Sequence, residues 1–236
     1  TVIICCYNEV NTITEVIEKT QAVNLGQGWE REILIVDNCS TDGTRELLQK
    51  IDDPEIRVIY HEQNMGKGMS IRTGIANMQG DYMLIQDADL EYDPAEHRRF
   101  AAYVQQHNPP ALFGSRLLGG DIKTKYLRTL FGNRLLTWLT NFLFRGKLTD
   151  VATATKMVRA DVVQALNLTT TDFNLDFELP NKILLSGHQI HEIPISYSPR
   201  TYAEGKKIGT LDGARAIKTM LLNRVGISPV LKKESL

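Results

Sequence analysis

Short apolar runs alternate with helix-like segments through the first third of the chain, and this alternation is the strongest constraint on the fold. The runs are Val2–Cys6, Ile33–Val36 and Val58–Tyr60, and a segment with helix-capping or helix-forming residues follows each of them. Continuously apolar strands are typically buried on both faces, and strands that alternate with helices form parallel sheets. The sequence therefore predicts an α/β fold with a mostly parallel sheet and helices on both faces.

A fourth apolar run, Tyr82–Ile85, leads into a pair of carboxylates. Asp87 and Asp89 follow this predicted strand, and Glu91 and Asp93 come after them. Carboxylates gathered in one small volume repel one another, and the most direct neutralisation is a divalent cation such as Mg²⁺ or Mn²⁺. Such ions commonly share their remaining ligand positions with a substrate phosphate. A solvated acidic turn is the simpler alternative, but the strand directly before the pair favours a metal site.

Polar residues also end the other predicted strands, where parallel sheets bind their ligands. Tyr7 and Glu9 follow the first strand, and Asp37 follows the second, where its carboxylate can accept from the N–H edge of a nucleobase. Lys67 lies between two glycines and can reach a phosphate. Neither GxxxxGK[ST] nor GxGxxG is present, so the sequence predicts a nucleotide site that is neither a Walker loop nor a dinucleotide fold.

Composition restricts the class of protein. The 236 residues suffice for one domain, and a net charge of −1 gives no global field that would attract nucleic acid. The three cysteines form no zinc motif, and their odd number fits a reducing compartment. No apolar stretch approaches about 18 residues and no signal peptide is present. We therefore expect a cytoplasmic protein with no transmembrane helix and no nucleic-acid partner.

Residues 123–147 change the character of the chain, since apolar residues become dense and cations flank them. Arg128 and Arg134 lie within this stretch. The pattern predicts an amphipathic helix whose apolar face lies in the membrane interface. The alternative is an ordinary core helix packed on the sheet. The apolar residues are Tyr126, Leu127, Leu130, Phe131, Leu135, Trp138, Leu139, Phe142 and Leu143.

Further helices and strands are predicted after the carboxylate pair, and a polar, basic loop is predicted at residues 197–207. The helices are Glu96–Gln106, Phe177–Leu185 and Leu211–Val225, and the strands are Ala111–Gly114, Lys156–Val158 and Gln189–Ile195.

Four motifs occur in the order found in family 2 glycosyltransferases, which the chain resembles. They are Tyr7-Asn8-Glu9, Asp37–Thr44, Asn64–Gly68 and Asp87-Ala88-Asp89. Later stretches are similar to the dolichyl-phosphate mannose synthase, or polyprenyl-phosphate, branch: Gly114–Arg116, Gly132-Asn133, Leu148–Asp150 and Tyr197–Lys207. The resemblance implies a GT-A fold over residues 1–236, with a nucleotide-sugar-binding half at 1–115 and an acceptor-binding half at 116–236. It also implies a UDP- or GDP-sugar donor, Mg²⁺ or Mn²⁺, and a polyprenyl-phosphate acceptor.

The resemblance also assigns roles to residues at matching positions. Those around the nucleoside are Tyr7, Glu9 and Asp37, and those on the metal are Asp87, Asp89 and Glu91, although many relatives carry Gln at the last position. Arg200 and Lys206 or Lys207, from the 197–207 loop, would contact the donor phosphates. Those on the acceptor phosphate are Arg116, Arg128 and Arg134. Two departures are Asn38, where the family often has Asp, and C-terminal membrane spans, which many members carry and this sequence lacks.

The acceptor decides whether a base is needed. A phosphate monoester is largely dianionic near neutral pH and needs orientation by arginines. A saccharide or protein hydroxyl would need a general base, for which Asp150, Asp176 and Glu178 are the candidates. The arginines near the amphipathic stretch favour a lipid phosphate and a peripheral position on the inner face of the membrane. A nucleotidyltransferase and a non-catalytic membrane-surface module are the remaining alternatives.

Overall fold

The computed structural model describes residues 1–119, 127–200 and 210–226, with their side chains except those of residues 127–129 and 210–212. Within these ranges seven strands form one sheet in the order β3-β2-β1-β4-β6-β5-β7. The strands are β1 Val2–Cys6, β2 Ile33–Asp37, β3 Ile56–Tyr60, β4 Tyr82–Asp87, β5 Ala111–Ser115, β6 Lys156–Arg159 and β7 Ile190–Pro194. Both predicted halves of the chain contribute strands to this sheet.

Eight α-helices connect or follow these strands in the described ranges. They are α1 Ile13–Ala22, α2 Thr44–Leu48, α3 Lys67–Asn77, α4 His97–His107, α5 Leu127–Phe144, α6 Ala160–Ala165, α7 Leu175–Leu185 and α8 Thr210–Arg224. The predicted helices are found with their ends shifted by a few residues, and the short helix α6 was not predicted.

The sheet is mostly parallel, as the sequence predicted. Strands β1 to β4 run parallel to one another, and β7 runs parallel to β5. Strand β6 is antiparallel to both of its neighbours, β4 and β5. Its reversal brings Lys156, its first residue, opposite Phe113 near the end of β5. A strand inserted backwards therefore delivers a lysine to the carboxyl edge, where the other strands deliver carboxylates.

Helices cover both faces of the sheet, which explains the continuously apolar strands. Successive side chains of a strand point to opposite faces. In β1, Ile4 packs in a cluster with α1 and α4, which contribute Val16 and Phe100. Its neighbour Ile3 packs in a second cluster with α3, α6 and α7, which contribute residues such as Ile71. Each fully buried side chain of this size stabilises the fold by about 1.5–3 kcal/mol.

Helix α5 divides its surface between the protein and the solvent. One side, including Leu136 and Phe144, packs against α8 in a third apolar cluster. The opposite side leaves Phe131, Trp138 and Phe142 exposed by 72%, 60% and 69%. The stretch therefore packs as a core helix on one face and presents an apolar face on the other. Contact of this face with lipid stays a prediction. No helix in the described part of the chain is long and apolar enough to cross a membrane.

Candidate functional site

The turn after β1 is fixed by the turn after β2. The Asn8 amide nitrogen donates to Ser40 Oγ (2.9 Å), and the Thr41 amide nitrogen donates to Asn8 Oδ1 (2.8 Å). The Glu9 amide nitrogen donates to Thr44 Oγ1 (3.0 Å). Asn8 has φ 56°, a left-handed conformation that Asn tolerates better than most residues. These bonds hold Glu9 at the carboxyl edge of the sheet.

Asp37, predicted to contact a nucleobase, is fully buried and already paired. Its Oδ2 accepts from Arg45 Nε (2.7 Å), and its Oδ1 accepts from the Ser40 amide nitrogen (3.2 Å). Arg45 also donates to the His61 carbonyl (2.6 Å), and its hydrogen bond with Asp37 raises its pKa. Arg45 was not predicted, because its position in a helix gives no local signal for this contact. The nucleobase contact of Asp37 stays a prediction.

Asn38, a departure from the family pattern, organises the next loop. Its Nδ2 donates to Asn64 Oδ1 (2.8 Å), and its Oδ1 accepts from the Met65 amide nitrogen (2.9 Å) and contacts His61 Nδ1 at 3.0 Å. An ionised aspartate accepts but cannot donate. The asparagine therefore makes a bond to Asn64 that the more common aspartate could not make.

The glycines on either side of Lys67 let the loop approach another backbone closely. A Cβ on Gly68 would lie 2.6 Å from the Asp172 carbonyl oxygen, and one on Gly66 would clash with the Thr171 carbonyl. The Met69 amide nitrogen donates to that Thr171 carbonyl (3.0 Å). The start of α3 is thus pressed against residues 170–172, and this contact positions Lys67.

Glu178, a candidate base, holds the segment that lies against these glycines. Its carboxylate is fully buried and accepts from the amide nitrogens of Thr169 (3.0 Å) and Thr170 (2.8 Å), and from both hydroxyls. Lys182 pairs with it at 2.8 Å. Burial alone would raise the pKa of Glu178, but the bonds from Lys182 and Thr170 lower it. Because its oxygens accept these hydrogen bonds and its side chain is not exposed, Glu178 has a structural role.

Lys67 links the predicted metal carboxylates to a second acidic group. Its Nζ lies 2.8 Å from Asp87 Oδ1 and 3.7 Å from Asp176 Oδ2. Asp176 also accepts from Lys156 Nζ (2.9 Å), whose side chain is fully buried. Burial acts against the charge of Lys67, but Asp176 and Asp87 outweigh it and raise its pKa. Burial likewise acts against the charge of Asp176, and Lys156 and Lys67 overcome it and lower its pKa.

Arg200 lies across the other side of the site. Its Nη2 lies 2.9 Å from Glu9 Oε2 and 3.5 Å from Asp89 Oδ2, and its Nε donates to the Asp89 carbonyl (3.0 Å). The structure thus brings together Glu9, Asp89 and Arg200, three residues that sequence analysis assigned to donor and metal binding. Their spacing along the chain gave no indication of these direct contacts.

Glu91 fastens the 197–200 segment to the loop that carries Asp89. Its Oε2 accepts from Tyr197 Oη (2.8 Å), and its Oε1 accepts from the Arg200 amide nitrogen (2.8 Å). Its carbonyl also accepts from the Ser198 amide nitrogen (2.9 Å). Among the described residues, no three His, Cys, Asp or Glu side chains form a group that could hold a metal ion. Metal ligation by Glu91 stays a prediction, whereas its bonds to this segment are observed.

Three motifs that are separate in the sequence meet around Asp150. Arg116 binds the buried Asp150 carboxylate in a bidentate pair, with Nε 2.7 Å from Oδ2 and Nη2 2.8 Å from Oδ1. Asn133 Nδ2, from α5, donates to the same Oδ1 (2.7 Å). Burial opposes the charge of Asp150, but Arg116 prevails and lowers its pKa. Arg116 also donates to Tyr92 Oη (3.1 Å).

Glu192, on β7, binds the segment that carries Asp150. It was not among the predicted site residues. It accepts from the Thr149 amide nitrogen (2.7 Å), the Thr149 hydroxyl (2.9 Å) and the Asp150 amide nitrogen (3.1 Å). Burial raises its pKa. Ser115 Oγ lies 2.7 Å from Thr149 Oγ1 and closes the cluster. A single glutamate on a predicted strand carries no local signal for such a role.

The remaining predicted residues lie at the edges of the described structure. Tyr7 is partly exposed after β1, and Arg134 is exposed on α5. The Arg128 side chain, Lys206 and Lys207 lie outside the described residues. Their phosphate contacts stay predictions.

Comparison with known proteins gives both a family and a fold. The model of the family described as glycosyl transferase family 2 matches residues 1–166. The low-salt glycan biosynthesis hexosyltransferase Agl6 of Haloferax volcanii is 25% identical over 93% of this chain and 52% of its own length. The undecaprenyl-phosphate 4-deoxy-4-formamido-L-arabinose transferase of Salmonella paratyphi A is 36% identical over 44% of this chain and 33% of its own. The chain thus spans about half the length of the first relative, and its match with the second covers a third of that relative.

Solved structures of glucosyl-3-phosphoglycerate synthase from Mycobacterium tuberculosis are similar in fold. The complex with phosphoglyceric acid has a TM-score of 0.68 and 20% identity, and covers 96% of this chain and 79% of that one. The complex with Mn²⁺, uridine diphosphate and phosphoglyceric acid has a TM-score of 0.65 and 20% identity, with coverage of 96% and 78%. The predicted GT-A-like sheet is confirmed by this likeness.

Proposed function

Because the chain belongs to glycosyl transferase family 2, we propose that it transfers a sugar from a UDP- or GDP-sugar to a polyprenyl phosphate, dolichyl or undecaprenyl, with inversion at the anomeric carbon. The choice of acceptor rests on one observation: the three carboxylates considered as general bases already have hydrogen-bond or ion-pair partners. Asp150 is bound by Arg116 and Asn133, Glu178 is buried under hydrogen bonds, and Asp176 is paired with two lysines. Each of these three carboxylates is thus already engaged by cations or hydrogen bonds, which disfavours it as a general base.

A phosphate acceptor fits this arrangement because it brings its own nucleophile. Its oxygens are already anionic near neutral pH, the second pKa being about 6. The protein then has to hold and orient the phosphate, which cationic side chains do well. The name of the Salmonella relative, an undecaprenyl-phosphate transferase, supports the same acceptor class.

We propose that Asp87 and Asp89 hold Mg²⁺ or Mn²⁺ together with the donor diphosphate. Their side chains are hard oxygen ligands, exposed by 18% and 26% at the carboxyl edge. Mg²⁺ is commonly bound by one or two carboxylates plus substrate phosphates, so two protein ligands suffice without Glu91. When bound, the ion would neutralise charge on the leaving diphosphate. Mn²⁺ and uridine diphosphate in the synthase structures support this assignment.

Lys67 and Arg200 are the cations that would bind the donor phosphates in this proposal. Both already lie against the metal carboxylates, at 2.8 Å from Asp87 and 3.5 Å from Asp89. The backbone bonds of Arg200 and Ser198 to Glu91 fix the segment from which the guanidinium reaches. Cations held beside the diphosphate stabilise the negative charge that develops on the leaving group.

The exposed face of α5 is the proposed contact with the membrane. Phe131, Leu135, Trp138 and Phe142 recur at intervals of three or four residues, which places them on one side of the helix. Trp138 and Phe142 stack with ring centroids 5.5 Å apart. Aromatic and apolar side chains on a helix that lies flat are typical of interfacial binding, and Arg134 adds a cation for anionic headgroups. This supports a peripheral position at a membrane surface, which we propose to be the inner face.

A donor panel tests the proposed reaction. UDP- and GDP-sugars would be incubated with Mn²⁺ and either a short polyprenyl phosphate or the matching polyprenol, which lacks only the phosphate. We expect glycosyl product, detected by mass spectrometry, with the phosphate and none with the alcohol. Equal transfer to the polyprenol or to a saccharide would contradict the acceptor assignment and direct attention to a hydroxyl acceptor.

A further inference from the structure

Each carboxylate proposed for the metal lies beside a cation, and each of those cations has a second acidic partner. Lys67 lies between Asp87 at 2.8 Å and Asp176 at 3.7 Å. On the opposite side, Arg200 lies between Asp89 at 3.5 Å and Glu9 at 2.9 Å. The same arrangement thus occurs on both sides of the Asp87-Ala88-Asp89 turn.

A divalent cation bound to Asp87 would lie close to the Lys67 ammonium, which is 2.8 Å from Asp87 Oδ1. Both positive groups would compete for the same carboxylate and repel each other. The Lys67 side chain is only 14% exposed, so water cannot easily take the place of a lost counter-charge. Separating a partly buried charge from its partner is costly unless another acidic group receives it.

We infer that Asp176 is a positioning residue that receives the Lys67 ammonium when a divalent cation takes over Asp87. This inference rests on the proposed function, since it concerns the same metal site. Asp176 is already within 3.7 Å of the ammonium, so a movement of about 1 Å would complete a charge-assisted hydrogen bond. The exchange keeps the number of ion pairs constant while the metal enters.

Lys156 prepares Asp176 for this task. Its ammonium donates to Asp176 Oδ1 at 2.9 Å and to the Asp176 carbonyl at 3.2 Å, and its side chain is fully buried beneath the site. The other oxygen, Oδ2, is the one that faces Lys67. Lys156 therefore fixes one carboxylate oxygen and keeps the group ionised, while the second oxygen stays available to Lys67.

The test is a titration with Mn²⁺ alone, in which unbound Mn²⁺ is measured by its electron paramagnetic resonance signal. The measurement requires neither donor nor turnover. Removal of Lys67 frees Asp87, and we expect Lys67→Met to bind Mn²⁺ about tenfold more tightly than the wild type. Asp176→Asn leaves Lys67 with Asp87 alone, and we expect about tenfold weaker binding. A general structural defect would not tighten metal binding.

The double variant isolates the coupling. In a Lys67→Met background the Asp176→Asn change should lose most of its effect, because the cation that Asp176 receives is absent. Lys19→Met removes the same charge from an exposed pair with Glu15 on α1 and should leave the Mn²⁺ affinity unchanged. Thermal melting shows whether each variant is folded. If Asp176→Asn does not fold, the inference is tested by Lys67→Met alone, which must bind Mn²⁺ more tightly than the wild type.

Two outcomes overturn the inference. One is Lys67→Met binding Mn²⁺ no more tightly than the wild type, and the other is an equal Asp176→Asn effect with and without Lys67. A wild type that binds no Mn²⁺ even with uridine diphosphate present would instead remove the metal from the proposed function, and the inference with it. The two failures are therefore distinguishable.

Discussion

Among the described residues, the Arg116–Asp150 and Arg159–Asp161 pairs share a bidentate guanidinium–carboxylate contact but differ in burial, and Asp→Asn changes in them should differ in cost. In the Arg116–Asp150 pair the carboxylate is fully buried and the guanidinium is 18% exposed. In the Arg159–Asp161 pair the exposed fractions are 34% and 65%, and the two bonds measure 2.6 and 2.9 Å. The guanidinium contact is common to both pairs, whereas Asp150 is buried and also accepts from Asn133 and from the Arg116 amide nitrogen.

Asp150→Asn should lower the free energy of unfolding by about 3 kcal/mol. Breaking a buried ion pair by removing one charge costs about 3–5 kcal/mol, and Arg116 keeps some solvent contact and its bond to Tyr92, which favours the lower end. In the variant, the asparagine N–H₂ group replaces one carboxylate oxygen. It would then face donors that bond to that oxygen in the wild type, among them the Arg116 amide nitrogen. Asp161→Asn should cost less than about 1 kcal/mol, because exposed pairs are screened by water.

Urea unfolding at neutral and acidic pH measures both changes. The pKa of Asp150 is lowered in the folded state, so its contribution is fully present above the ordinary value of 3.8 and is lost as the pH falls below it towards the folded value. The difference between wild type and Asp150→Asn should therefore shrink below pH 3.8. Equal costs for the two substitutions at neutral pH would refute the argument from burial.

Three further predictions concern the proposed membrane face, the proposed acceptor and the bonds of Glu178 on α7 to residues 169–170. Trp138→Ser should weaken sedimentation with anionic vesicles about tenfold by removing a large apolar contact, whereas Leu185→Ser, also exposed but on α7, should not. Arg134→Gln should raise the KM for polyprenyl phosphate severalfold more than that for the donor, with Arg98→Gln on α4 as the control, and an equal rise in both would contradict its assignment. Glu178→Gln should lower the free energy of unfolding in urea by about 2 kcal/mol through weakened bonds to the 169–170 segment, and an unchanged midpoint would contradict this role.

Sequence patterns predicted the parts of the fold that depend on local signals. The apolar run of β1 reports burial on both faces, and the positions of Asp37 and Asp87 at strand ends report the carboxyl edge of the sheet. The direction of β6 has no such signal, because the pattern of apolar residues in a strand is the same whether the strand lies parallel or antiparallel to its neighbours. Lys156 therefore looked like the polar start of a strand, and its burial beside Asp176 could not be foreseen.

The site was predicted as a set of residues and not as a set of contacts. Asp150 and Arg116 were assigned separately to a base and to acceptor binding, and the structure pairs them. Glu91 was assigned to the metal, and its carboxylate holds Tyr197 and Arg200. These pairings join positions 34 to 109 residues apart, a distance over which the sequence gives no information about geometry.

Helix α5 would hold the proposed membrane face and the proposed sugar-transfer site in a fixed relation. A polar stripe of the helix faces the 148–151 segment: Asn133 binds Asp150, Thr137 Oγ1 accepts from the Val151 amide nitrogen at 3.1 Å, and Asn141 exchanges two 2.8 Å bonds with the backbone of Leu148. These bonds prevent the helix from rotating, so its exposed stripe, about 16 Å long from Phe131 to Phe142, keeps one orientation. If that stripe lies in lipid, the height of Arg116 above the membrane is set by the same helix. A lipid phosphate then needs no lifting motion of the protein to reach the site, because the interface and the carboxyl edge of the sheet belong to one hydrogen-bonded unit.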